Sequence, residues 1–553
     1  MGERGTERLF SYNYLITFNA ANASKYPPNR DQYIMKKIFF STLLLCLSFY
    51  ASAQKTVYIP RSITSAMDLN NSSSKWCYSR SKESENIAVF WEAGFGNDPA
   101  TASGSYRVNI NTLLQVAEKS YIFYLDSLQF AIKGSSVTDD HKLLIFLLYS
   151  SEWTANGSGE DDKVGSLRVT PGAANIGNVV AHEIGHCFQY ITGCDGDGGY
   201  QYGLGENGEG GNGFWEQCAQ WMSFKVYPEK QFTENDFREY IKSNHLHILH
   251  ETPRYANFFL PDYWTYKHGR EFTGRIWRES RFPEDPVETY KRLTSISQEQ
   301  FNDEIFEHAA LLTTWDLPQI RSSGEKYIDS RAQVKMEPTS GGFWQIDQSV
   351  CIENYGYNSI KLNPPSQAKQ VSVLFKGKAG SSGFRALKTN KGGWRFGFVA
   401  LLKDGTRKYS DMGVTKVMNG ECPDQSLSFN CPSDCYRLWL VVSGAPQEHW
   451  KHAWDDDNSN DEQWPYQVRF NNTNLLGEAT SITYERAVSA ASTHVVLSSR
   501  AIYLEQKVNW QILDFAGRQI RSGYGDRIDI NPFLKGGYVL HSSGKSYKII
   551  INP

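Results

Sequence analysis

Two histidines four positions apart are the most chemically informative feature of the sequence. Residues 179–190 read VVAHEIGHCFQY, so on an α-helix His182 and His186 project from one face and can bind one zinc ion. Glu183 lies between them, where a carboxylate can take a proton from metal-bound water. An ordinary helix with two surface histidines is the alternative, and the pattern alone leaves both interpretations open.

A hydrolytic zinc site needs a third protein ligand and an open fourth position. Downstream, the segment FWEQCAQWMSF places Glu216 on a second predicted helix. Glu206 and Glu209 are rival third ligands within residues 193–213, a glycine-rich segment that we interpret as a connector rather than a lid or a calcium loop. We favour Glu216 because a helix fixes a ligand better than a glycine-rich loop does.

These two segments together resemble the gluzincin metallopeptidases. In that family the third zinc ligand is a Glu on the helix after HExxH, within a W-x-E-x-x-A-x-(W/Y)-like stretch. Here Trp215 and Glu216 are followed by Ala219 and Trp221, and the spacer residue after the first Trp is missing.

The resemblance implies Zn2+ bound by His182, His186 and Glu216, with Glu183 as the general base. It also implies that the predicted strand at residues 164–169 is the zincin edge strand, which would bind the substrate backbone by strand addition.

Supporting groups can be proposed around this set. Gln220 lies one turn beyond Glu216, where it could orient His182; some gluzincins have a carboxylate there, and a neutral amide tunes ligand basicity less. Four residues follow at a plausible distance for stabilising a developing oxyanion, although most such side chains are ordinary surface or core residues. They are His245, His247, His250 and Tyr255.

Composition limits the class of protein. The chain has 553 residues, enough for about three to four domains. With 57 Lys and Arg against 60 Asp and Glu, the net charge is −3, which argues against a nucleic-acid partner because such proteins need a basic surface. No apolar stretch of about 20 residues occurs, so no transmembrane helix is predicted.

The pattern along the chain predicts a multidomain α+β protein. A zincin-like catalytic domain is expected at residues 54–335, with strands at 87–91 and 143–149 and an amphipathic helix at 110–128 between them. Residues 214–330 are predicted to be mainly helical, with a Ser297–Gln300 capping box.

Two β modules are expected to follow. Residues 336–475 are predicted to form a separate β-sandwich, with strands at 394–402 and 436–442 and hairpin turn chemistry at 403–405. Residues 476–553 are predicted to form a small Ig-like β domain.

The N-terminal region indicates export. Residues 35–53 combine two lysines, a short apolar run and an Ala-Ser-Ala cleavage site, which is typical of a secretory signal peptide rather than a buried core helix. Residues 1–34 are then predicted to be a spurious extension from a misplaced start codon. Eight cysteines remain after the signal peptide, and an even number permits disulfides whose pairing cannot be read from the sequence.

The C-terminus resembles the type A sorting domain of type IX (Por) secretion. The family pattern is a D-x-x-G-R hairpin, then L-x-x-G-x-Y and a terminal strand; here DFAGR spans residues 514–518 and LKGGYVL spans 534–540, although the Asn-Pro end departs from the pattern. The resemblance implies passage through the periplasm, the type IX machinery as a partner, and a secreted or outer-surface location. A generic Ig-like module is the alternative.

Most of the mature chain, from about residue 70 to 475, is also similar to an uncharacterised family of secreted bacterial proteins with HExxH, known only as a domain of unknown function. The stretches NIAVFW, VVAHEIGHCFQY, FWEQCAQWM, GWRFGFVALLKDG and LWLVVSGAP support this similarity. It implies no substrate.

Two functions of different class remain. The first is a secreted or cell-surface zinc peptidase that acts on protein or peptide substrates; a zinc hydrolase of non-peptide bonds is a variant of it. The second is a surface glycan- or protein-binding protein with a degenerate zincin domain, for which the many aromatic residues give only weak support. The acidic run at residues 455–462 is interpreted as a solvated loop rather than a calcium site.

Overall fold

The computed structural model describes residues 54–202, 213–478, 496–497, 501–514, 517–529, 536–542 and 545–551. The expected signal peptide, the extension before it, and the rival ligands Glu206 and Glu209 lie outside these ranges. Within them, no helix is long and apolar enough to cross a membrane.

Helices and sheets are mixed in the described residues, in agreement with the predicted α+β class. The α-helices are α1 Arg61–Thr64, α2 Ile110–Ile122, α3 Pro171–Ala174, α4 Gly177–Cys194, α5 Phe214–Val226, α6 Asn235–Ser243, α7 Phe259–His268, α8 Phe272–Glu279, α9 Pro286–Thr294, α10 Gln298–Thr313 and α11 Arg321–Gly324.

The strands of the described residues form four sheets of five. They are β1 Ser81–Glu83, β2 Ile87–Trp91, β3 Leu143–Leu147, β4 Ala155–Glu160, β5 Val164–Val169, β6 Met336–Pro338, β7 Trp344–Ile346, β8 Tyr357–Leu362, β9 Lys369–Gly377, β10 Gly393–Leu402, β11 Arg407–Tyr409, β12 Gly413–Lys416, β13 Gln425–Cys431, β14 Cys435–Gly444, β15 Tyr466–Asn471, β16 Val496–Leu497, β17 Ala501–Leu513, β18 Gln519–Asp529, β19 Gly536–Ser542 and β20 Lys545–Ile551.

Local sequence signals account for several of these elements. The predicted helix at 110–128 is confirmed as α2, which Asn109 caps by accepting from the Thr112 N–H, followed by a π-helical turn. The predicted capping box is confirmed at α10, where Ser297 and Gln300 satisfy each other's backbone groups.

The first sheet has the order β1-β2-β3-β5-β4. Its three central strands are parallel, and β1 and β4 pair antiparallel at the two ends. The expectation that residues 164–169 form the edge strand is therefore wrong: β5 lies between β3 and β4, and the edge strand is β4. The sequence ANGSGE of β4 has no alternating apolar residues, so its pattern did not predict a strand.

Strand β4 also lies directly against helix α4. A Cβ atom at Gly157 would lie 2.0 Å from the carbonyl oxygen of Glu183, and one at Gly159 would lie 1.9 Å from the ring of Tyr190. The two glycines therefore allow the edge strand to pass the helix at a distance that a larger residue would not permit.

Two further sheets pack face to face and form the β-sandwich. One has the order β11-β10-β14-β8, with β12 also paired to β10, and the other has the order β13-β9-β15-β7-β6. Phe375 of β9 and Phe396 of β10 stack between them, with ring centroids 4.4 Å apart. The predicted strands at 394–402 and 436–442 are confirmed within β10 and β14, and Gly405 occupies the predicted turn with a φ of 85°.

The sandwich is continuous with the helical region. All ten residues of β10 are buried, because its inner side chains face the second sheet and its outer ones face helix α10. Val399 and Leu401 of β10 and Trp439 of β14 belong to the same hydrophobic core as Phe306 of α10. The outer face of the sandwich thus shares a buried core with the helical segment that the sequence suggests as a separate domain.

The C-terminal sheet is antiparallel, with the order β16-β17-β19-β20 and with β18 paired to β17. Asp514 and Arg518 flank the turn from β17 to β18, where the Arg518 Nε lies 2.8 Å from Asp514 Oδ2. Its small core includes Ile502, Trp510 and Leu540.

Candidate metal centre

The residues of the HExxH motif lie on helix α4, Gly177–Cys194. His182, Glu183 and His186 are all buried. The rings of His182 and His186 are 4.7 Å apart and nearly perpendicular, as expected for neighbours one turn apart on one helix face. The alternative of two surface histidines is therefore excluded by their burial.

Helix α5 brings Glu216 to both histidines. Its Oε2 atom lies 3.2 Å from His182 Nε2 and 3.1 Å from His186 Nε2. Close packing of the two helices makes this possible: a Cβ atom at Gly185, inside the motif, would lie 3.3 Å from Ala219 of α5. Glycine at this position lets the second helix approach the first.

The donor set fits a zinc ion. Ligand atoms of His182, His186 and Glu216 all lie within 4.8 Å of one another. Two imidazoles and one carboxylate are a common protein ligand set of hydrolytic zinc sites. Burial disfavours ionisation of Glu216, but hydrogen bonds from the two histidines outweigh it and hold the pKa of this carboxyl well below its usual range.

Each histidine is oriented from behind by a glutamine. The His182 Nδ1–H donates to Gln220 Oε1 at 2.8 Å, and the His186 Nδ1–H donates to Gln189 Oε1 at 2.7 Å. These bonds hold a proton on each Nδ1, so when an ion replaces the Nε2 protons that Glu216 accepts, the Nε2 lone pairs would face the ion. Gln220 is thus in contact with the histidine that sequence reasoning assigned to it.

Two of the residues that support the histidines were not predicted from the sequence. Gln189 lies three positions after His186 on the same helix, so the helical repeat could have indicated it. Asp236, on helix α6, accepts from Gln220 Nε2 at 2.8 Å and has no fixed spacing from the motif. Burial raises the pKa of Asp236 to about 6.

The general-base candidate is held by the edge strand. The backbone N–H of Gly157 donates to Glu183 Oε2 at 2.6 Å. One carboxylate oxygen is thereby fixed against β4, beside the two histidines. The same contact places β4, the last strand of the first sheet in the described residues, next to the candidate centre.

Aromatic side chains lie beside the two histidines, and we call Tyr202, Trp215, Tyr255 and Trp454 the aromatic rim. Trp215 lies 6.0 Å from His186 and Tyr255 lies 6.0 Å from His182, measured between ring centroids. Tyr202 contacts Trp215 and Trp454 at 5.6 Å each. Trp454 belongs to the segment between β14 and β15, so the sandwich contributes to the rim.

Of the four oxyanion candidates, the structure brings Tyr255 to the site. Burial raises the pKa of Tyr255 to about 12, so its hydroxyl stays protonated and can donate at neutral pH. His247 and His250 are fully buried and pack against His452 instead, at 4.6 and 5.0 Å. His245 is partly buried, and burial lowers its pKa to about 4.

Fold and site together define a mixed α+β protein with a buried two-histidine, one-glutamate group beside a sheet edge. The chain belongs to DUF6055, a family of unknown function, whose model matches residues 50–477. This match confirms the similarity to an uncharacterised domain family. Comparison with curated proteins gives no match.

Solved structures give distant similarities. The C-terminal family 22 carbohydrate-binding module of Clostridium thermocellum Xyn10B has 14% identity and a TM-score of 0.16, over 26% of this chain and 85% of that one. A β-glucuronidase from Ruminococcus gnavus has 12% identity and a TM-score of 0.11, over 38% of this chain and 36% of that one. A β-glucuronidase from Faecalibacterium prausnitzii has 11% identity and a TM-score of 0.12, with the same coverage.

Proposed function

We propose that the protein is an exported zinc-dependent peptidase with a zincin-like catalytic half. The observation that carries this proposal is the convergence of His182, His186 and Glu216 from two helices, with Glu183 beside them. A bound zinc ion would lower the pKa of its water toward about 7 and polarise a carbonyl group.

Glu183 would act as the general base. Its Oε2 is fixed by the Gly157 N–H, so the side chain cannot rotate away from the centre without losing a hydrogen bond. The attacking water would give its proton to the other carboxylate oxygen, and Glu183 would then pass the proton to the departing amine. No covalent enzyme intermediate is needed.

The substrate backbone would pair with strand β4. This strand ends the sheet order in the described part of the chain, and its Gly157 contacts the proposed base. An extended peptide added to such an edge forms main-chain hydrogen bonds and is held parallel to the sheet. The protonated Tyr255 hydroxyl would donate to the developing oxyanion.

The test is Glu183→Gln in the purified full chain. We expect full zinc content and at least a 100-fold loss of cleavage of a mixed peptide library, because the base is removed while the ligands remain. Glu229→Gln, an equal charge change at an exposed position, is the matched control and should behave as wild type.

Full peptidase activity in Glu183→Gln would contradict the assigned base. A wild-type chain that neither retains zinc nor cleaves peptides would instead favour the surface-binding protein.

Export and sorting complete the proposal. They are supported by the signal-peptide pattern at residues 35–53 and by the DFAGR and LKGGYVL motifs, with the C-terminal Ig-like sheet as a type IX sorting domain. Mass spectrometry of secreted and cell-bound fractions tests this, because peptides should begin at residue 54 and none should come from residues 1–34.

A further inference from the structure

We infer that a second divalent metal ion binds between His250, Glu251 and His452, outside the proposed catalytic centre. His250 and Glu251 follow helix α6, and His452 comes from the sandwich segment between β14 and β15. All three side chains are buried, and their ligand atoms lie within 4.8 Å of one another.

The distances within this group match those between ligands of one ion. Glu251 Oε2 lies 3.2 Å from His452 Nε2 and 3.5 Å from His250 Nδ1. Ligands about 2.0–2.1 Å from a tetrahedral zinc ion are separated by roughly 3.4 Å. The corresponding separations at the HExxH centre are 3.1 and 3.2 Å.

A carboxylate lies behind both histidines. Asp461 Oδ1 is 3.4 Å from His452 Nδ1, and Asp461 Oδ2 is 3.5 Å from His250 Nε2. Metal-bound histidines usually direct their second ring nitrogen at a carboxylate or carbonyl, which fixes the tautomer and orients the ring. Asp461 can serve both rings in this way, which leaves His250 Nδ1 and His452 Nε2 facing Glu251.

Unpartnered polar atoms point into the same cluster. His250 Nε2 and Asp461 Oδ2 are buried and have no hydrogen-bond partner in the described part of the chain, because their 3.5 Å contact does not meet hydrogen-bond geometry. Buried polar atoms without partners are uncommon and costly. An ion bound between His250 and Glu251 would hold the His250 ring in the orientation in which its Nε2 atom faces Asp461 Oδ2.

Binding of an ion to His250 Nδ1 would break one existing hydrogen bond. The backbone N–H of Thr252 donates to His250 Nδ1 at 3.0 Å. Thr252 is exposed, so this N–H can bond to water when an ion takes the nitrogen.

Charge favours a cation at this position. Four buried carboxylates lie near one another: Glu251, Glu353, Asp461 and Glu462. Among the described residues, Arg385 is the permanently charged cation paired with them, and it donates to Glu353 Oε1 at 2.6 Å. Uncompensated buried charge is expensive, so a divalent ion would stabilise the group.

The donor types indicate a zinc-like ion. Calcium and magnesium prefer oxygen ligands alone, whereas two imidazole nitrogens with one carboxylate suit zinc. The acidic run at residues 455–462 divides accordingly: residues 456–460 are exposed, while Asp461 and Glu462 are buried, with Asp461 in the cluster.

A proton is the competing occupant. Burial lowers the pKa of His452, but Glu251 and Asp461 outweigh it and raise this pKa to about 9, so a doubly protonated ring could bridge the two carboxylates. The experiment must therefore distinguish an ion from a proton.

The test is zinc stoichiometry of the purified full chain after loading with zinc alone and desalting at pH 8, measured by mass spectrometry of the elements. We expect two equivalents in the wild type, one in His452→Gln, one in Glu216→Gln, and none in the double variant. His308→Gln, a buried histidine outside both groups, is the matched control and should keep two equivalents.

The test relies on the proposed function only for the equivalent that Glu216→Gln removes. One equivalent that Glu216→Gln removes and His452→Gln keeps would overturn the second site and leave the peptidase intact. One equivalent with the opposite behaviour would support the second site and overturn the HExxH centre.

A melting experiment covers the case in which His452→Gln fails to fold. In the Glu216→Gln background, zinc should raise Tm, since an ion that binds only the folded state stabilises it. Adding Glu251→Gln, which keeps side-chain size, should abolish the shift. An equal shift with and without Glu251→Gln would overturn the site.

Discussion

Each histidine of the candidate centre is supported by an uncharged amide. Gln220 and Gln189 accept from the Nδ1–H groups of His182 and His186. A carboxylate in this place makes imidazole a stronger donor to the metal, whereas an amide orients the ring with less effect on its basicity. An ion bound here would therefore retain more positive charge.

Removing one amide should weaken zinc binding. We predict that Gln220→Ala lowers zinc affinity by about 10–100-fold, because His182 loses the group that sets its tautomer and orientation. Chelator competition at fixed pH measures this.

Gln217→Ala is the control for that experiment. Gln217 is a buried glutamine on the same helix whose amide, in its hydrogen-bonding orientation, donates to Ile248 and Asn257 carbonyls rather than to a histidine. Equal losses of affinity in both variants would indicate general destabilisation instead of histidine orientation.

At the residue level, the sequence indicates neighbouring side chains where the spacing is local. His182, Glu183 and His186 follow from one helical turn, and Gln220 follows from its position one turn after Glu216. Asp236 and the rim residues Tyr202 and Trp454 come from segments whose approach depends on tertiary packing. No periodic pattern within the chain specifies those contacts.

At the level of elements, the contact of strand β4 with helix α4 decides where the base points. It depends on the absence of a side chain at Gly157, whose amide also binds Glu183. The sequence predicted the internal strand β5 from its apolar residues, but not β4, whose ANGSGE sequence resembles a loop. Glycines that serve a close approach cannot be told from turn glycines by sequence pattern alone.

A single methyl group should disrupt this contact. We predict that Gly157→Ala costs about 1–3 kcal/mol of stability and at least 10-fold in peptidase activity, because its Cβ would meet the helix backbone 2.0 Å away and push β4 outward. Thermal unfolding and initial rates measure the two effects.

Gly196→Ala provides the comparison, since a Cβ there has nothing within 4 Å. Wild-type rates in Gly157→Ala would mean that the strand does not position Glu183.

Across the whole molecule, the sandwich supplies part of the candidate site. Trp454 lies against Tyr202 of the rim, and Arg254 lies over both Trp454 and Tyr255. The two segments that sequence analysis treated as separate domains therefore meet at the aromatic rim.

The rim gives a prediction about substrate binding. Trp454→Ala should raise KM for peptides several-fold with unchanged zinc content, because the buried Trp454 ring supports the exposed ring of Tyr202 while the ligands stay in place. Trp450→Ala, on the same segment but packed against Trp464, should leave KM unchanged. A change in kcat alone would argue against a binding role for the rim.

The shared core also predicts acid sensitivity. His308 of α10 is buried near Tyr263 and Tyr357, and burial lowers its pKa from 6.5 to about 3. The folded state thus disfavours protonation, so its contribution to stability is complete above pH 6.5 and is lost as pH falls toward 3, at up to about 1.4 kcal/mol per pH unit.

Replacing this histidine should reduce that loss. Between pH 6 and 4 the free energy of unfolding of His308→Leu should decline less steeply than that of the wild type, by about 1 kcal/mol per pH unit. Urea unfolding at several pH values measures the difference. Parallel declines would show that His308 is not the group responsible.

The covered outer face of β10 bears on whether the sandwich can exist apart from the helical half. A domain that gene fusion transfers between proteins must fold alone without exposing a large apolar surface. Here Val399, Leu401 and Trp439 would lie bare without helix α10, so a transplanted sandwich would aggregate. The family match across residues 50–477 includes both halves. We therefore expect the helical half and the sandwich to fold together.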